Sequence, residues 1–148
     1  MSKPKHVYEV FIRTTPEKLW HAITDAKITQ KYFFGALVES DWKVGSSYVC
    51  KSEAGVLYHE GKVLESDPPK KLVHTFAAKF DPKMKEDRPS RVTWTIEPLG
   101  PTCKLTLVHD DFDAETATFE SVRGGWNAVL SAMKTWLETG EPLVLPAK

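Results

Sequence analysis

The spacing of apolar positions changes its period twice along the chain. Residues 6–13, His-Val-Tyr-Glu-Val-Phe-Ile-Arg, are rich in β-branched and aromatic side chains and predict a first strand. Thr15-Pro16-Glu17 follows with a hydroxyl N-cap, a proline at the first helical position, and an acid facing the positive helix end. Leu19, Trp20 and Ile23 form the apolar face of one short helix; Ile28, Tyr32 and Phe33 form that of a second, which Gly35 ends. From there to about residue 110 the period is two. Segments 46–51, 56–65, 71–80, 91–97 and 102–109 read as strands, with turn chemistry at Glu53-Ala54-Gly55, Asp67-Pro68-Pro69 and Leu99-Gly100-Pro101. Such short connectors make neighbours antiparallel. Centring the last hairpin on Gly100-Pro101 pairs Val92, Trp94 and Ile96 with His109, Leu107 and Leu105 on one face. The other face then pairs Thr93 with Val108, Thr95 with Thr106 and Glu97 with Lys104, opposite charges included.

The final period is helical. Starting between Ala114 and Thr118, the stripe Phe119, Val122, Trp126, Val129, Leu130, Met133, Trp136 and Leu137 runs to a stop at Gly140-Glu141-Pro142. Arg123, Asn127, Ser131, Lys134 and Glu138 mostly take the opposite side. A helix of about 22–26 residues is roughly 33–39 Å long, enough to cross a six- or seven-stranded sheet. The fold class is therefore α+β, with the helices on one face of an antiparallel sheet.

Composition narrows the function. The 148 residues carry 20 Lys+Arg and 20 Asp+Glu, with 11 basic and 9 acidic residues in the first half, so neither half is a charged tail. A neutral chain with a pI near 7.0 lacks the basic surface that nucleic acid or an anionic membrane requires. The length predicts one domain, 1–148. Met-Ser-Lys-Pro-Lys-His has no apolar signal core, and the longest apolar runs are far shorter than a membrane span, which points to a cytoplasmic chain. Cys50 and Cys103 are too few and too isolated for a disulfide framework or a zinc set and read as buried thiols. No nucleophile elbow, phosphate loop or metalloprotease motif occurs, so no catalytic residue, metal or cofactor is implied. Asp110, Asp111, Asp113, Glu115 and Glu120 read as charge complementing the N-terminus of the long helix. Asp81 to Arg91, charged and with two prolines, reads as a solvated, mobile loop, and Gly124-Gly125 as a close helix–sheet approach or a kink.

Four segments in this order resemble the START-like helix-grip (SRPBCC) superfamily, and within it the branch of activator of heat-shock protein 90 ATPase homologues. They are Thr15-Pro16-Glu17-Lys18-Leu19-Trp20 with Ala22-Ile23-Thr24-Asp25, then Gly45, then Glu65-Ser66-Asp67-Pro68-Pro69-Lys70-Lys71-Leu72. The fourth is Gly125-Trp126 leading into Leu137-Glu138-Thr139-Gly140-Glu141-Pro142-Leu143. The resemblance covers nearly the whole chain. It implies a curved six- to seven-stranded antiparallel sheet wrapped around the long C-terminal helix, with two short helices after the first strand. It also implies a cavity between sheet and helix that holds a hydrophobic or aromatic small molecule, and a chaperone or a second copy as a protein partner. The chain has no room for the separate N-terminal domain of the eukaryotic co-chaperone, and Tyr32 stands where relatives often carry Trp.

The candidate lining follows from the two facing surfaces. Trp94 and Leu107 come from the registered hairpin, His74 and Phe76 from the strand before it, and His109 from the end of the inward row. Trp126, Asn127 and Met133 come from the long helix, and Trp20, Tyr32 and Phe33 from the short helices that close one end. Any one of the aromatic residues also suits solid core. His74, His109 and Asn127 are the candidates for orienting a ligand, since a buried imidazole needs a partner. His59 and Glu60 are adjacent, so one of the two points inward. Two other readings stand beside ligand binding. One is a cyclase- or hydrolase-type enzyme, which needs His74, His109 or Glu60 at a cavity. The other is a chaperone-interacting stress-response protein.

Overall fold

The computed structural model describes residues 4–144. Its elements are β1 (His6–Ile12), α1 (Pro16–Thr24), α2 (Ala26–Tyr32), β2 (Leu37–Glu39), β3 (Ser47–Lys51), β4 (Leu57–Asp67), β5 (Lys71–Ala78), β6 (Ser90–Leu99), β7 (Thr102–Asp110) and α3 (Ala117–Thr139). Thr15 and Gly140 cap where the sequence places them, Thr116 fixes the start of α3 within the expected range, and Asp25 is a further N-cap. Thr15 Oγ1 accepts from Lys18 N at 3.2 Å, Asp25 from Lys27 N at 2.8 Å, and Thr116 from Phe119 N at 3.2 Å, while Gly140 takes φ 77° at the C-cap of α3. No helix among the described residues is long and apolar enough to cross a membrane.

The sheet has seven strands in the order β1-β7-β6-β5-β4-β3-β2, each antiparallel to its neighbours. The β6–β7 register is the expected one, with Trp94 opposite Leu107 and Glu97 opposite Lys104. Strand β2 is additional to the predicted set; three residues are too few to show a period. β1 and β2, the two edges, are joined through α1 and α2, and α3 covers the inner face. Register shifts at Cys50/Lys51 and Val63/Glu65 bend the β3–β4–β5 side, as an unpaired extra residue does. Here Gly61 is obligatory. A Cβ on it would lie 2.2 Å from Thr75 O, and Thr75 Oγ1 takes the Lys62 N–H at 2.8 Å.

The segment expected to be a solvated loop, Asp81 to Arg91, is a fastened strap. Met84 is buried in the core. Asp87 Oδ2 accepts from Thr118 N at 3.0 Å and Thr118 Oγ1 at 2.6 Å, and Arg88 pairs with Asp111 and Asp113. Of the acidic cluster, Glu120 lies in the first turn of α3 as expected, while the three aspartates have a different task. Asp110 pairs with Arg91, Asp111 and Asp113 hold the strap's Arg88, and the acid on the free N–H groups of α3 is Asp87 from the strap itself.

The inner face buries polar rings in register. His6 lies opposite His109, His109 opposite Val92, Val92 opposite His74, and His74 opposite Val63, so three imidazoles share one cross-strand row. Each is paired. His74 Nδ1 donates to Thr75 O at 2.9 Å, leaving Nε2 to accept from Trp94 Nε1 at 3.0 Å. His109 has the other tautomer: Nδ1 accepts from Trp126 Nε1 at 2.9 Å and Nε2 donates to Ser90 Oγ at 2.7 Å. His6 Nε2 donates to Phe119 O at 2.8 Å. Burial pushes the pKa of His74 down to about 4 against the opposing bond to Thr75 O; it takes that of His109 well below its ordinary value, and there the neighbouring imidazoles add to the effect.

Two outcomes are expected. Gly61→Ala destabilises the protein by about 1–3 kcal/mol in urea unfolding, because backbone and not a flexible side chain meets the new methyl group. The second concerns pH. In the unfolded chain His74 and His109 take up protons as pH falls through about 6.5, whereas in the fold they stay neutral. Stability is thus full above about pH 6.5 and falls below it, by up to about 1.4 kcal/mol per pH unit for each histidine. A urea midpoint that does not move between about pH 6.5 and pH 5 contradicts this.

Candidate ligand cavity

Between the N-terminal half of α3, the loop after α2 and strands β3 to β5 lies a cavity of about 270 Å³. Its walls are apolar for identifiable reasons. Phe76 points inward because β5 alternates, and stacks on His59 with ring centroids 4.3 Å apart. Trp126 is held by its bond to His109, and its ring meets Phe33 edge-on at 5.8 Å. Phe33 follows α2 in a loop fixed by the buried Thr29, whose Oγ1 accepts from Val38 N at 3.0 Å and donates to Ala36 O at 3.1 Å. The next residue, Phe34, has φ 53° and is 57% exposed; with the 47% exposed Phe80 it lies where the cavity meets solvent. A bulky residue in the left-handed region is under strain, and here the strain sets a phenyl ring at the rim.

On the helix side, Gly125 lines the cavity and a Cβ built on it meets nothing within 4 Å; the same holds for the exposed Gly124. The glycine pair therefore does not serve close helix–sheet packing, and α3 runs through it without a break. At Gly125 the missing side chain is instead part of the open volume.

A second, inner space of about 20 Å³ adjoins the first through Phe33, His59 and Trp126, and Tyr32, Tyr48, His74 and Trp94 also line it. Tyr32 is buried at this inner space and does not line the main cavity. Its hydroxyl donates to Ala22 O at 2.7 Å, tying α1 to α2, and burial raises its pKa. Of the expected lining residues, Phe33, Phe76 and Trp126 border the main cavity, and Tyr32, His74 and Trp94 border the inner space. Leu107, His109 and Met133 are fully buried in packed core, and Trp20 packs half-buried beside it. Asn127 is exposed, on the side of α3 opposite the buried stripe, and does not reach the cavity. Of the adjacent pair, His59 is the inward one and Glu60 lies outside the lining. None of His74, His109 and Glu60 lines the main cavity; His74 borders the inner space, and His59 is the histidine on both.

The lining carries no charged side chain. Burial lowers the pKa of His59 to about 3, with His74 nearby, and raises that of Cys50 to about 12, so both are neutral at ordinary pH. The arrangement solvates an uncharged ring and offers it few polar atoms. Phe34, Phe80 and Gly125 escaped the periodicity reading because each lies at a loop or is defined by an absent side chain. The one available signal was the aromatic pair Phe33-Phe34 before Gly35.

Similar proteins share this frame. A solved structure from Mesorhizobium loti is 25% identical, with 90% of this chain and 96% of that one covered and a TM-score of 0.74. A structure described as an HSP90 activator from Plasmodium falciparum is also 25% identical, covering 90% and 95%, with a TM-score of 0.75. The Aha1 dimer from Colwellia psychrerythraea, 18% identical over 93% and 98%, shows the same fold with a TM-score of 0.74. No curated protein matches the sequence significantly. Residues 13–138 match the family described as Activator of Hsp90 ATPase homolog 1-like protein, and with the helix-grip architecture around α3 the chain belongs to that family.

Proposed function

We propose that this protein binds a small, uncharged, hydrophobic or aromatic molecule in the cavity between α3 and the sheet. The observation that carries the reading is the open space of about 270 Å³ behind an aromatic rim, with no charged lining. A cavity of about 150 Å³ already accepts benzene, so this one has room for one or two rings. The partly exposed Gly125 on the cavity wall supports the same reading, since a Cβ there would meet nothing within 4 Å and the space is left open.

Naphthalene is the probe, followed by quenching of tryptophan fluorescence, with native mass spectrometry of the purified protein for molecules carried along. Gly125→Leu is expected to weaken naphthalene binding at least tenfold by filling the space. Gly124→Ala, beside it but outside the cavity, leaves binding unchanged and raises stability by about 0.5–1 kcal/mol through helix propensity. Failure of the unmodified protein to bind naphthalene or to carry any small molecule overturns the reading.

A second reading, contact with a chaperone ATPase, is supported by the Plasmodium falciparum relative and by Val7 and Phe11. These are 51% and 55% exposed on the outer face of the edge strand β1. It predicts stimulation of a heat-shock protein 90 ATPase by the added protein, weakened by Phe11→Ser. No stimulation dismisses it.

A further inference from the structure

One polar side chain at the cavity is both buried and incompletely bonded. His59 is 6% exposed, and its Nδ1 lies 3.1 Å from the hydroxyl of Tyr48. Among the described residues its Nε2 has no hydrogen-bond partner. Leaving such an atom unpaired costs about 1–3 kcal/mol, and native interiors rarely keep one without use. His59 borders both the main cavity and the inner space, and since Tyr48 engages Nδ1, Nε2 is the polar atom it brings to them.

The position of the ring proton follows from counting donors. Tyr48 is fully buried, and the imidazole is the partner its hydroxyl has. If the hydroxyl donates to Nδ1, the ring proton sits on Nε2 and a single group is left unpaired. If Nδ1–H donates to the hydroxyl oxygen, the phenolic proton and Nε2 are both left unpaired. The first arrangement costs less, so Nε2 carries hydrogen and is a donor. His74 and His109 are not available for this role, because each has both ring nitrogens engaged.

We propose that His59 is the polar anchor of the cavity and that the ligand is an uncharged one- or two-ring molecule with an acceptor oxygen, a ketone or lactone carbonyl, which takes the Nε2–H. This rests on the reading of the cavity as a ligand site and names the chemistry that site selects. An anion finds no cation among the lining side chains, and the imidazole stays neutral. A plain hydrocarbon leaves the N–H unpaired. A ligand offering only donors meets another donor. Tyr48 is a positioning residue, acting on the ligand through the imidazole tautomer.

The test compares 1-tetralone with tetralin, which share one two-ring skeleton and differ in the carbonyl. Each is titrated by tryptophan fluorescence into the unmodified protein, His59→Phe and the double variant Tyr48→Phe/His59→Phe. Phenylalanine keeps the stack on Phe76, and the double variant also removes the hydroxyl that the single one strands. The preference for tetralone over tetralin is expected to fall about tenfold in both variants, the loss of one buried hydrogen bond. Nitrogen NMR of His59 in the unmodified protein is expected to show the neutral Nε2–H tautomer. If both compounds bind and the preference is unchanged in the variants, His59 is not the anchor, as when a single water in the inner space satisfies it, while the cavity reading stands. An Nδ1–H tautomer also overturns the anchor. If neither compound binds the unmodified protein, the cavity reading itself fails.

Discussion

The fold depends on two indole-to-imidazole hydrogen bonds, Trp94 to His74 and Trp126 to His109. An inner sheet face that carries three histidines in one row is costly, because each ring brings two polar nitrogens into an apolar interior. The indole N–H groups remove much of that cost and are themselves satisfied. They also work in different directions. Trp94 binds one strand to its neighbour, whereas Trp126 binds α3 to β7 and so fixes how the long helix lies on the sheet. The two indoles then meet edge to face at 5.6 Å. Each bond sets one tautomer, and with the tautomers set the remaining nitrogens reach a backbone carbonyl and a serine hydroxyl.

The cavity exists because the two surfaces are held apart at one end. Toward the C-terminal end of α3 the contacts are short: Lys134 Nζ donates to Phe11 O at 2.7 Å, and Glu138 accepts from Arg13 N at 2.8 Å. Toward the N-terminal end the helix presents Gly125 and Ser121, facing the side of the sheet where β4 carries two bulges. Large rings span part of the gap. The rest stays open because the side chain that would close it is hydrogen.

Much of the frame was legible in the sequence, for physical reasons that can be named. The β6–β7 hairpin has a short turn, and a one-residue slip would have put Trp94 and Leu107 in water, so its register was determined. α3 showed itself through the spacing of its stripe and a glycine stop. β2 was too short to have a period, and the Asp81–Arg91 strap looked wet because its buried apolar anchor, Met84, is surrounded by charges in the chain. The site was the least legible part. Phe33, Phe76 and Trp126 were placed correctly as inward residues, but apolar spacing is the same for a wall and for a filled core, and Leu107 and Met133 belong to the latter. Asn127 was assigned by its chemistry against the helical geometry, and the geometry prevailed.

The carboxylate of Asp87 does two things at once: it satisfies the first turn of α3 and it fastens the segment that begins at Phe80 on the cavity rim. Release of that carboxylate therefore frays the helix and loosens the rim in the same event. The helix end and the cavity rim therefore share one fastening, and a change at that carboxylate is felt at both.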